Sequence, residues 1–186
     1  MLSSNMKWIW INIVSFIFLT ACTNRKQTEW EKYAANEVRA HLNKKFLYPD
    51  SAFTLFSSED LYSFKKNDLK IATCIDLDCS ICVGRFYYWK QFMHTVDSLY
   101  GNTIPILLYV HSEVKSPKEL TEIVNKQWQG LWAYDYKYEF QDKNGLHDER
   151  FQVVVLNQEN IIKLVGNPFL NKEMEKLLFK YIQSKQ

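Results

Sequence analysis

The period of apolar and polar positions changes repeatedly along the chain. Thr28-x-x-Glu31 has the form of a capping box, and Trp30, Ala34, Val38 and Leu42 then recur at helical spacing. With Lys44 and Lys45 complementing the dipole at the far end, the spacing predicts a helix over about residues 28–45, stopped before Pro49. Residues 52–56 suit a short strand, and residues 69–75 a stronger one built on Ile71-Ala72-Thr73-Cys74-Ile75, with Asp76-Leu77-Asp78 as the turn that follows. From Cys79 onward Cys82, Phe86, Trp89, Met93, Val96 and Tyr100 step by three or four, which predicts one amphipathic helix closed by Gly101. Residues 104–110 form an apolar run with Pro105 near its entry, the profile of a central strand. Ser116-Pro117 opens the next helix, which reaches to about Trp128, and residues 134–140 read as a mixed aromatic strand. Residues 152–156 and 161–165 flank Asn157-Gln158-Glu159-Asn160 as a hairpin, and residues 171–184 close the chain as a helix. This order predicts an α/β fold, a mixed sheet flanked by helices with an extra N-terminal helix and strand.

Composition agrees with a packed domain. Of 186 residues 47% are hydrophobic, with 12 Phe, 11 Tyr and 6 Trp to fill a core, while 5 Gly and 4 Pro exclude collagen-like and low-complexity classes. A net charge of +2 makes no electrostatic footprint for nucleic acid, so no DNA or RNA partner is expected. The N-terminus is more informative. Lys7 is the sole charge before Cys22, and the mostly apolar run from Trp8 to Thr20 is shorter than the ~20 residues of a spanning helix. It ends in Leu19-Thr20-Ala21-Cys22, which resembles the lipobox of a bacterial lipoprotein. The expectation is a signal peptide over residues 1–21, cleavage before Cys22, and a diacylglyceryl group on the Cys22 thiol. Two or three acyl chains there would tether the protein to a membrane without a spanning helix. Thr23-Asn24-Arg25-Lys26 carries no acidic cluster, which points to the cell envelope and to an outer membrane lipoprotein facing the periplasm.

Export places the remaining cysteines, Cys74, Cys79 and Cys82, in an oxidising compartment. Cys79-Ser80-Ile81-Cys82 sits where a strand ends and a helix begins, so the first sulfur meets unpaired backbone amides that favour a thiolate. Cys79 is then the attacking thiol and Cys82, one turn into the helix, the resolving one. Asp78, next to Cys79, is expected to oppose thiolate formation. Cys74 reads as a buried core thiol. An iron–sulfur cluster is rejected, because no fourth free cysteine remains once Cys22 is lipidated.

From about Leu69 to Gln186 the chain resembles the thioredoxin-like superfamily, and within it the TlpA-type lipoproteins of Bacteroidetes. The matching pieces are the strand from Leu69, Asp78-Cys79-Ser80-Ile81-Cys82, the helix with Trp89-Lys90-Gln91-Phe92, the Pro105 strand, and Ile162-Lys163-Leu164-Val165-Gly166-Asn167-Pro168. The resemblance implies a thioredoxin-like domain over residues 69–186, preceded by a lipidated tether, helix and strand over residues 22–68. It also implies a membrane-anchored thiol-disulfide oxidoreductase with Cys79 and Cys82 as catalytic residues, acting on thiols or disulfides of envelope proteins. The second hypothesis is a redox-inactive binding or assembly lipoprotein that keeps the pair as a structural disulfide. Two positions depart from the superfamily pattern: the proline that usually precedes the hairpin is replaced by Arg150 or Phe151, and the buried acid on the strand before the cysteines by Thr73. His147 precedes the hairpin much as a copper-ligating histidine does in Sco-type chaperones, but those carry CxxxC, so no metal or other cofactor is expected. His41, His94 and His111 lack ligand spacing and read as surface residues.

Overall fold

The computed structural model describes residues 28–54, 58–101 and 104–185. The expected signal peptide, Cys22, and the last two positions of the strand expected over residues 52–56 lie outside the described residues. The chain divides into two units, Met1–Asn36 and Glu37–Gln186. In the first, the capping box forms as its spacing predicts: Glu31 N–H donates to Thr28 Oγ1 at 3.1 Å, and Thr28 N–H to Glu31 Oε2 at 2.7 Å. This starts helix α1, Glu29–His41. The helix ends before the expected residue 45. Asn43 takes a left-handed conformation, and Lys45 instead bridges to Ile161.

In the second unit the described strands are β1 (Phe53–Thr54), β2 (Lys70–Asp76), β3 (Ile106–His111), β4 (Leu131–Tyr134), β5 (Val153–Leu156) and β6 (Ile162–Val165). They form one six-stranded sheet among the described residues, in the order β1-β4-β3-β2-β5-β6. The pairs β2·β3 and β3·β4 are parallel, and β1·β4, β2·β5 and β5·β6 antiparallel, so the sheet is mixed as expected. The helices are α2 (Ser58–Lys66), α3 (Ser80–Val83), α4 (Arg85–Tyr100), α5 (Pro117–Gln127), α6 (Glu139–Asn144) and α7 (Lys172–Gln183).

Side chains alternate across the sheet. Ile71 and Ile75 of β2, Leu108 and Val110 of β3, and Val153 and Val155 of β5 share one core with Phe86, Trp89 and Val96 of α4, Leu120 and Val124 of α5, and Leu178 and Ile182 of α7. On the opposite parity stand Ala72, Cys74, Leu107 and Tyr109, and here Phe140 of α6 contacts Tyr109 and Phe46 at ring separations of 5.3 and 5.7 Å.

Three expectations need correction. The aromatic stretch over residues 134–140 is not a strand. β4 ends at Tyr134, Tyr138 adopts a left-handed conformation with φ 56°, and the Asp135 carboxylate accepts the amides of Glu139 and Phe140 at 3.0 and 2.8 Å, which starts α6. The single helix expected from Cys79 is broken at Gly84 into α3 and α4, because Gly84 N–H bonds to Ile81 O at 3.1 Å in a tighter turn. His41 and His111 are buried rather than on the surface. His41 faces Glu37 at 3.6 Å, and the His111 ring stacks on Tyr138 while its Nδ1 meets the Asp135 carbonyl at 2.7 Å. Helix α2, without a strong period of its own, has no counterpart among the expected elements.

Candidate active site

The buried strand β2 leads straight to the cysteine pair. Leu77 N–H donates to His111 O at 2.9 Å, extending the β2–β3 contact by one residue, and Asp78 N–H then turns back onto Asp76 Oδ1 at 2.8 Å. The next segment of β3 clamps this turn. Ser112 Oγ donates to Asp78 Oδ1 at 2.6 Å, Glu113 N–H donates to Asp78 Oδ2 at 2.7 Å, and Lys115 Nζ reaches both Asp78 Oδ1 at 2.9 Å and Leu77 O at 2.7 Å. Hydrogen bonds from Ser112 and Lys115 hold the Asp78 carboxyl well below the usual carboxylate range, so it stays ionised beside Cys79. Its charge is met by three hydrogen bonds, one of them from the Lys115 ammonium, which offsets part of its opposition to a neighbouring thiolate.

Cys79 is the N-cap of α3, with extended backbone (φ −95°, ψ 112°). Its Sγ accepts the Cys82 amide at 3.3 Å, and its carbonyl accepts the amides of Cys82 and Val83 at 3.0 and 3.3 Å. The thiol pair is strongly differentiated. Hydrogen bonding from the Cys82 side chain and amide pulls the Cys79 thiol below its ordinary value, with Arg85 adding a positive charge. Cys82, 7% exposed, goes the other way: burial raises it, and so does donating its S–H to Cys79. Cys74, also 7% exposed and on the face with Tyr109, is pushed up to about 12 by burial, against a weak contact from Gln141 Nε2 at 3.8 Å. All three are free thiols. Between the paired cysteines Ile81 stands 83% exposed, so the attacking edge of the site opens to solvent while the resolving sulfur faces the core.

The segment that would carry the superfamily proline lies alongside. It contains no cis peptide, and several of its backbone groups are paired within the protein. Phe151 N–H donates to Asp148 O at 2.9 Å, Arg150 O accepts Asn167 N–H at 2.7 Å, and Gln152 O accepts the Thr73 hydroxyl at 2.8 Å. Thr73, standing where the pattern has a buried acid, thus serves as a tie between β2 and this segment. His147 is on the outside, its ring 3.8 Å from Asp142, and among the described residues no three His, Cys, Asp or Glu side chains gather as a metal site. Arg85 is the site residue that the sequence pattern missed. It is buried and bonded to Glu149, and its position at the start of a helix between apolar neighbours carries no motif.

Comparisons with known proteins fit this geometry. No family model matches the chain, and no curated protein sequence does. Solved structures do. Yeast Sco1 with copper bound superposes with a TM-score of 0.55 at 15% identity, covering 76% of this chain and 95% of that one. A protein from Bacteroides thetaiotaomicron described as a protein disulfide isomerase gives 0.53 at 11% identity over 77% of this chain and 88% of its own. A protein from Chlorobium tepidum described as the thiol:disulfide interchange protein DsbE gives 0.50 at 11% identity over 76% and 99%. The fold is thioredoxin-like, a mixed sheet flanked by helices.

Proposed function

We infer that the protein is a thiol-disulfide oxidoreductase of the cell envelope in which Cys79 attacks and Cys82 resolves. The observation that carries this reading is the asymmetry within the pair: a partly exposed Cys79 sulfur at the helix N-cap, accepting the Cys82 amide, beside a buried Cys82 sulfur, a placement that lowers the first thiol and raises the second. The Cys79 thiolate attacks one sulfur of a substrate disulfide, forming a mixed disulfide and releasing the first substrate thiolate. Cys82 then loses its proton, attacks the Cys79 sulfur, and releases the second substrate thiolate. Two electrons pass to the substrate and the protein is left with a Cys79–Cys82 disulfide, which a protein dithiol of the envelope recharges. The same steps in reverse oxidise a substrate dithiol. Kinship of fold with proteins described as a disulfide isomerase and a thiol:disulfide interchange protein supports this chemistry without naming a substrate.

The test is trapping. Cys82→Ser should accumulate mixed disulfides with envelope proteins, visible on non-reducing gels, while Cys79→Ser should accumulate none and should lower disulfide exchange by about two orders of magnitude or more. No trapped species, together with a pair that stays oxidised below about −300 mV, would point instead to a binding lipoprotein with a structural disulfide.

Location follows from the lipobox-like Leu19-Thr20-Ala21-Cys22. Lipidation of Cys22 would hold the domain near the bilayer surface, on the periplasmic side of the outer membrane. Cys22→Ala is then expected to leave a soluble or uncleaved product in fractionation. A processed Cys22→Ala chain that still sediments with membranes would rule lipid anchoring out.

A further inference from the structure

Arg85 has no part in the exchange steps, yet its placement is costly. It opens α4 three residues after Cys82 and is 8% exposed. A guanidinium taken out of water persists only where a carboxylate meets it. That carboxylate is Glu149, whose Oε2 accepts Arg85 Nη2 at 2.5 Å across 64 positions of sequence. Glu149 belongs to the segment before β5, which Asn167 also ties through its amide to Arg150 O at 2.7 Å and through its side chain to Glu149 O at 3.4 Å. Together with the Thr73–Gln152 bond, the segment is held to β2, to the chain after β6, and by Arg85 to the first turn of α4.

We propose that Arg85 is a positioning residue of the dithiol site: anchored by Glu149, its guanidinium is the fixed positive charge beside α3, and Glu149 sets how much of that charge the Cys79 thiolate feels. The proposal rests on the dithiol reading of the site. Buried at the start of α4, three residues beyond Cys82, and held there by Glu149, the guanidinium brings a positive charge to the end of α3, and its direction of action on Cys79 and Cys82 is toward the thiolate. Other charged and titratable groups near the cluster include Asp76 of β2, which acts on Cys82, and Asp135 after β4, which acts on Cys74, both opposing the thiolate, together with Tyr138, which interacts with Cys74, and Asp78, next to Cys79 and paired with Lys115. Lys115 is engaged with Asp78 and Leu77 O. Glu149, whose side chain is 59% exposed, can be changed without opening the core.

The two partners should therefore act in opposite directions. In the reduced full chain, iodoacetamide labelling of Cys79 is followed against pH by peptide mass spectrometry. Glu149→Gln frees the guanidinium from its counter-charge, so the labelling profile should shift to lower pH, with Cys79 reacting about threefold faster near pH ~6.5. Arg85→Met should shift it to higher pH and slow the reaction by about threefold or more at the same pH, and Arg85→Lys should stay close to the unsubstituted profile. A purely structural salt bridge predicts that Glu149→Gln and Arg85→Met loosen the same segment and move the profile the same way, or not at all. Either result overturns the proposal. Should Arg85→Met fail to fold, Glu149→Gln alone decides, since an unaccelerated Cys79 in that variant contradicts the assignment. Failure of the underlying dithiol reading appears elsewhere, in the unsubstituted protein, as a Cys79 that labels no faster than Cys82.

Discussion

Asp78, adjacent to Cys79 in sequence, takes its partners from a distant part of the chain, Ser112, Glu113 and Lys115. Ser112 and Lys115 lower its carboxyl pKa in the folded chain, so the folded state binds this proton less tightly than the unfolded one. A depressed carboxyl contributes stability that is fully present above the unfolded value of about 3.9 and is lost as pH falls toward the folded one. Asp78→Asn should therefore lower Tm at neutral pH, and the gap between the two proteins should close as acid is added below about pH 4, a comparison that thermal unfolding across pH measures. A constant gap at every pH would mean that the clamp acts through shape and not through charge. The thiols differ in the same way by what surrounds each sulfur: Cys79 is lowered by groups close to it in sequence, Cys82, Ile81 and Arg85, whereas Cys82 and Cys74 are raised first by burial, which distant parts of the chain supply.

At the scale of elements, the passage from β4 to α6 shows how tertiary partners override local preference. Tyr134, Tyr136, Tyr138 and Phe140 alternate in the manner of a strand. The alternation is real but unused, since β3 and β1 cover β4 only as far as Tyr134, and Phe140 finds its burial against Tyr109 and Phe46 by entering a helix instead. Asp135, itself buried, makes this possible by capping the amides of Glu139 and Phe140. Asp135→Ala should leave both amides without that partner and cost about 2 kcal/mol, read as a fall in denaturant midpoint with an unchanged m-value. The cysteine helix carries a second lesson. Its apolar period runs unbroken through Gly84, yet the backbone there tightens, so a hydrophobic pattern reports which face is buried and not whether the axis is continuous.

At the scale of the whole molecule, the segment before β5 decides how widely the site can act. Its carbonyls at Arg150 and Gln152 and its amide at Phe151 are bonded within the protein, to Asn167, Thr73 and Asp148. Those groups are taken, so a substrate strand laid beside Cys79 would lean more on side chains for recognition, which select partners more narrowly. Insulin reduction is therefore expected to be slow even though Cys79 labels readily. Rapid insulin turnover would locate substrate binding on another surface.

Several features of this protein are legible in sequence because they are local. The capping box at Thr28, the Asn157–Asn160 hairpin, the buried period of β2 and the cysteine pair at a strand-to-helix junction each depend on residues a few positions apart, where backbone geometry and hydrogen bonding act directly. What tertiary structure decided is of another kind. The clamp on Asp78 joins residues 34 to 37 positions apart, and the Arg85–Glu149 pair joins residues 64 apart. Burial, which raises the Cys82 and Cys74 thiols, is decided by the closed sheet and its helices, because only they exclude water from those sulfurs. The groups that lower Cys79 stand close to it along the chain, so the sequence already marks the attacking sulfur, and the fold decides which of its neighbours are shut away from water.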